Sequence, residues 1–180
     1  MYWKRTKRRN RCGARGAKVF SACCVILLAA VGAAALDKLG DLQEHFDKDT
    51  HAASKVKDLD RLTDAQFEVA RKAGSDGNFV AVGLVFEKYR DNVRACFNLL
   101  RKQEPDADKH SGSYRHLELQ VRRGIREVED TLLTAPIAMR PPLELVHKDL
   151  LDIDDQLIRL LFPRQTTASP SIPLSLEDQP

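Results

Sequence analysis

Between Phe79 and Leu100 the apolar residues Phe79, Val82, Phe86, Tyr89, Val93, Cys96 and Leu100 follow one another in steps of three and four without a break. Such steps lie along one side of an α-helix, and a stripe of this length needs other helices to cover it. A second run, Leu143, Val146, Leu150, Ile153, Leu157 and Leu160, keeps the same spacing. Leu145, Leu151, Ile158 and Leu161 widen its apolar face, which predicts a largely buried helix. Leu117, Val121, Ile125, Val128 and Leu132 mark another helix, while Leu39, Leu42, Phe46, Ala53 and Val56 mark a weaker one, polar at Asp49. Aromatic residues make up only 6% of the chain, and no alternating runs recur with turn signals between them. Both facts argue against a β-sandwich or barrel.

The breaks in these patterns divide the chain. In Leu62-Thr63-Asp64-Ala65-Gln66-Phe67, Thr63 has the position of an N-cap, Gln66 that of its capping-box partner, and Leu62 and Phe67 that of a hydrophobic staple. A short helix over 64–74 follows, ended by Gly74 to Asn78, where Gly or Asn takes the left-handed conformation. Pro105 to Gly112 forms the next separator, and Pro136 with Pro141-Pro142 the last. The expectation is an all-α fold: an antiparallel bundle of five helices at 37–58, 64–74, 79–103, 113–134 and 142–161, joined by connections short enough to make sequence neighbours pack side by side. The body would then occupy 37–162. Residues 163–180 hold four prolines and no periodicity, the composition of a disordered Pro/Ser-rich tail, in which Leu174 and Leu176 are the only leucines.

The front of the chain has a different character. Residues 1–18 form a basic arm, and residues 1–36 together hold eight Lys or Arg and no acid. Val19 to Leu36 is uncharged throughout, and as a helix of eighteen residues it would reach about 27 Å, just short of the ~30 Å hydrocarbon core of a bilayer. Two readings fit. In one it is a cleaved export signal, with Ala33 and Ala35 in an A-x-A pattern and the cut between Ala35 and Leu36. In the other it stays as a membrane anchor; a buried soluble helix is a third. In either of the first two, the positive-inside rule leaves the arm in the cytoplasm and carries the body across, which predicts an extracytoplasmic protein, periplasmic or secreted, touching a membrane only through residues 19–36 if these are kept.

The net charge of +3 conceals an asymmetry, because beyond residue 36 there remain 21 basic against 26 acidic side chains. An acidic body excludes reading the chain as a nucleic-acid binder, and the arm is explained by orientation during export. Gly13 to Lys18 lacks the spacing of a phosphate loop.

Motifs for nucleophilic, metalloprotease or redox chemistry are missing: the chain has no G-x-S-x-G, no H-E-x-x-H and no C-x-x-C. Glu144 and His147 form a Glu-x-x-His pair at the spacing that di-iron bundles use on two of their helices, but a complete site needs a second such pair, so the two are candidate metal ligands only in a rival reading that borrows acids from a facing helix. His45, His51, His110 and His116 are scattered and read as surface residues. The acids Asp149, Asp152, Asp154 and Asp155 keep the last helix soluble. Cys12, Cys23 and Cys24 belong to the leader, which leaves Cys96 as the body's single thiol, in a seam position where it packs as a small apolar group. The function expected is therefore non-enzymatic, with no cofactor and no metal, acting through a protein partner or self-association. Leu39, Leu42 and Phe46 are the first place to look for such a contact, given a second helix too short to cover them.

Three resemblances bear on this reading. Leu62-Thr63-Asp64-Ala65-Gln66 resembles the LTxxQ motif of CpxP/Spy-type periplasmic helical proteins, which implies a dimeric, cofactor-free cradle for unfolded clients; those families usually carry the motif twice, and here it occurs once. Ala73 through Tyr89, with Gly77-Asn78-Phe79 and Phe86, looks like the inner turn of a tetratricopeptide helix pair, which implies peptide binding, although no second copy follows at the repeat's offset. The layout of export segment, L-x-D-A-Q-F, Gly-Asn-Phe and a final L-F-P-R is similar to small uncharacterised secreted bacterial proteins, a likeness that implies no particular activity.

Overall fold

A computed structural model describes residues 33–163. The basic arm of residues 1–18, the apolar segment up to residue 32, and residues 164–180 of the tail lie outside the described residues. Five α-helices are present: α1 (Ala33–Lys48), α2 (Ala52–Ser75), α3 (Phe79–Gln103), α4 (Ser111–Thr134) and α5 (Arg140–Leu161), with a 3-10 turn, Ile137–Met139, before the last. No strand occurs among the described residues, so the expected all-α class holds.

Side-chain contacts fix the direction of each neighbour. Along α2 and α3, Ala52 meets Gln103, Lys55 meets Cys96, and Phe67 meets Phe86 and Tyr89, so the two helices run oppositely. Between α4 and α5, Glu129 meets His147 and Arg122 meets Asp154, again antiparallel. Asp60 with Gln120 and Arg71 with Glu127 make α4 parallel to α2. Helix α1 folds back on α2, with Phe46 beside Lys55 and His45 beside Asp58. The periodic stripes form the core: Val82, Phe86, Tyr89, Val93, Cys96 and Leu100 of α3 and Leu143, Val146, Leu150 and Leu157 of α5 are each at most 1% exposed. Each large side chain buried this way contributes about 1.5–3 kcal/mol.

Two features of the sequence reading are corrected. The first break falls at Asp49–His51 and not at 59–63, so α2 is one helix of 24 residues with Thr63 in its interior. Local groups favour the earlier corner. Asp49 Oδ1 accepts the His51 N–H at 2.8 Å, and the Lys55 ammonium donates to the carbonyls of Phe46 and Asp49 at 2.7 and 2.9 Å, satisfying acceptors at the C-terminal end of α1. Gln103, reaching across from α3, accepts the Ala52 N–H and donates to Thr50 O. A capping box at Thr63 competes with burial of Leu59, Leu62, Gln66 and Phe67 in one continuous helix, and burial wins. The second correction concerns α5: Leu145 and Leu151 are exposed and do not widen its buried face. The expected end of the second helix is sound, since Gly77 has φ +75° and the Asn78 side chain caps α3 by accepting the Ala81 N–H.

One close approach sets the register of α3 against α4. The Tyr89 hydroxyl donates to Gln120 O at 2.6 Å, and the side chain lies so near Gly124 that a Cβ there would collide with Cε1, Cζ and the hydroxyl oxygen of Tyr89. On the opposite flank, Gln43 of α1 and Asn92 of α3 exchange two amide hydrogen bonds, at 3.0 and 3.2 Å.

Gly124→Ala is expected to destabilise the fold by about 2 kcal/mol, because the new methyl group would force the fully buried Tyr89 side chain to shift. Urea unfolding measures this, and most of the loss should disappear when Tyr89→Leu is already present. Thr63 Oγ1 is buried and finds no hydrogen-bond partner among the described residues. Thr63→Val should therefore stabilise by about 1 kcal/mol, whereas an N-cap threonine would lose about as much on the same change.

Candidate functional site

The hairpin of α4 and α5 carries the most exposed apolar surface. Its turn is built by proline: Pro136 precedes the 3-10 turn, and Pro141 and Pro142 occupy the first turn of α5, where no intrahelical N–H is required. Arg140 ties the corner by donating from Nε to Ala135 O at 3.1 Å. Along the outer seam two polar contacts cross between the helices, His147 Nε2 to Glu129 Oε1 at 3.0 Å and Arg122 Nε to Asp154 Oδ1 at 3.6 Å. Arg122 also pairs with Glu118 on its own helix. Burial pushes the Asp154 carboxyl above the ordinary carboxylate range, against the opposing pull of Arg122.

Each seam pair has leucines beside it. Leu119 precedes Arg122 by one turn, Leu133 follows Glu129 by one turn, and Leu151 lies one turn from both His147 and Asp154. Leu119 is 62% exposed, Leu133 80%, and Leu151 is exposed as well. These leucines share one side of the hairpin with the ion pairs. The arrangement supplies apolar contact area fringed by charges of both signs, which is the composition of a protein-binding surface with a polar rim.

The structure disperses most residues singled out from the sequence. Glu144 is exposed, and His147, one turn on, is engaged with Glu129. Among the described residues no group of three or more His, Cys, Asp or Glu side chains is placed to hold a metal ion. His45 pairs with Asp58 at 3.0 Å and His110 with Glu104 at 3.7 Å, and exposed His51 precedes α2 without capping it by its side chain. Ala35 and Leu36, the expected cleavage pair, fall in the first turns of α1. No helix of the described residues is long and apolar enough to cross a membrane. Thr63 and Gln66 of the LTxxQ match are buried in α2.

The reason given for looking first at α1 fails. The second helix is long, so Phe46 is buried and Leu39 and Leu42 pack against the core. The leucines of the outer seam were the ones missed. Leu119 falls two residues after the buried Leu117, off the stripe of its own helix, and Leu133 follows the partly buried Leu132; an apolar residue out of phase with a clear stripe was the available signal.

No protein-family model matches the chain, and no curated protein or solved structure matches it either.

Cys96 is fully buried, with its thiol 3.7 Å from Lys55 O, and burial pushes its pKa up to about 12. Thiolate is the reactive form and is scarce at pH 8. In a chain with Cys12, Cys23 and Cys24 replaced by serine, Cys96 should react with an aromatic disulfide reagent at least ~100-fold more slowly than an exposed thiol, and freely once urea unfolds the bundle. Fast labelling of the folded chain would contradict this.

Proposed function

We propose that this chain is a non-enzymatic extracytoplasmic helical bundle that acts by binding another protein or by assembling with copies of itself, through the outer seam of the α4–α5 hairpin. The observation that carries the reading is the exposure of Leu119, Leu133 and Leu151 along one side of that hairpin, next to the polar contacts Arg122–Glu118, Arg122–Asp154 and His147–Glu129. A folded chain gains nothing by itself from leucines held in water, and their burial becomes favourable when a partner covers them. The basic arm, the uncharged stretch to Leu36 and the acidic body supply the extracytoplasmic half of the proposal.

The test is photo-crosslinking in producing cells, with a photoreactive amino acid at Leu119 or Leu151 and, as control, at the exposed Lys88 of α3. A discrete adduct is expected from the two seam positions only, and Leu133→Lys should abolish it. No adduct from the seam, together with a monomeric sedimentation profile into the high micromolar range, would overturn the binding proposal. A C-terminal alkaline phosphatase fusion separately tests location, and inactivity of that reporter would overturn the extracytoplasmic part.

A further inference from the structure

The outward face of α4 has an order of its own. Opposite the buried Leu117, Val121 and Val128, the residues Leu119, Arg122, Arg126, Asp130 and Leu133 are all exposed and follow one another in steps of three, four, four and three. That spacing lines them up along one side of the helix, and it is symmetric about Arg126. Leucines stand at both ends, each seven residues from Arg126 and so about 10 Å from it along the axis. Between them the charge is divided by sign, with Arg122 and Arg126 in the first half and Glu129 and Asp130 in the second.

A face with this symmetry fits itself. When a second copy of α4 is laid on the first, antiparallel about a two-fold axis at Arg126, Leu119 comes level with the partner's Leu133, and Arg122 with the partner's Asp130. Arg126 meets its own counterpart at the axis, and its long side chain turns to the partner's Glu129 and Asp130, three and four residues from that level. Parallel pairing would set arginine against arginine and aspartate against aspartate, which like charges oppose. Within one copy, Arg122 is held by Glu118 and Asp154, but neither Arg126 nor Asp130 forms an ion pair among the described residues, and Asp130 acts on Arg71 only from a distance. An arginine four residues before an aspartate is also the weaker order for pairing along a single helix. Leu151 of α5 stands level with Arg126, midway between the contacts of Asp154 with Arg122 and of His147 with Glu129, and so flanks the axis in each copy.

We propose that two copies of this chain associate through the outward faces of their α4 helices, antiparallel about a two-fold axis at Arg126, with leucines packed at either end and arginines set against the partner's acids between them. This rests on the reading of the hairpin's outer side as a binding surface and names a second copy as its partner. The contact is small and rich in charge, which makes it reversible and weakened by salt.

The test places a photoreactive amino acid at Leu119 of the full chain in producing cells and reads the mass and the linked peptides of the adduct. An adduct of twice the chain's mass, joined to the partner's α4 around Leu133, is expected. Arg126→Glu or Asp130→Arg alone should lower its yield at least about fivefold, since each change brings like charges together on both sides of the axis, and producing the two variants together should restore it. Circular dichroism checks that both variants keep the helix content of the parent. An adduct joined around Leu119 itself means parallel pairing and overturns the proposal, as does a yield that neither reversal lowers or that the mixture fails to restore. An adduct with a different protein overturns self-pairing and leaves the binding surface standing, whereas no adduct at all, with a monomeric sedimentation profile, removes both.

Discussion

Helix α2 has to be covered around most of its circumference, and the other helices are disposed to do so. Lys55, Leu59, Leu62, Ala65, Phe67, Val69 and Ala73 are all buried, a distribution too wide for one neighbour to shield. Helix α1 folds back along one flank, α3 lies antiparallel along the next, and α4 runs parallel on a third. Helix α5 then closes the groove between α3 and α4, with Arg90 and Arg94 reaching Asp149 on one side and the seam of α4 on the other. Interior polar groups serve the same end. Lys55 spends its charge on the carbonyls of α1, and the Gln43–Asn92 exchange holds α1 against α3.

How much of this was legible depended on how one-sided each helix is. The regular stripes of α3, α4 and α5 face the interior and leave a polar back, so periodicity alone located them within two residues at each end. Helix α2 is buried on several sides and has no single stripe. Its polar interior residues Thr63 and Gln66 imitated a helix start, while the true corner at Asp49 depends on Lys55 and Gln103, the latter more than fifty positions away in the chain. Capping patterns are read from neighbours in sequence. This corner is made by neighbours in space.

The surface was harder to read for a related reason. Leucines beside a stripe look like a broader core until the crossing of two helices decides which of them are covered, and in α5 the contacts reach Leu143, Val146 and Leu150 but pass by Leu145 and Leu151. The Glu144–His147 spacing likewise had chemical meaning only if a second helix aimed its ligands at the same point. The facing helix supplies Glu129 alone, and the histidine joins two helices where a metal reading wanted a cluster.

The notch at Gly124 has a mechanical corollary. A single ring seated in a single gap prevents α4 from creeping along α3, since a one-turn ratchet of about 5.4 Å would bring Gln120 or Val128 up against Tyr89 in place of the bare backbone. Helices α3 and α4 are thereby keyed to each other at a single register, and the Phe67 ring of α2 packs against the same tyrosine, so one side chain positions three rods at once.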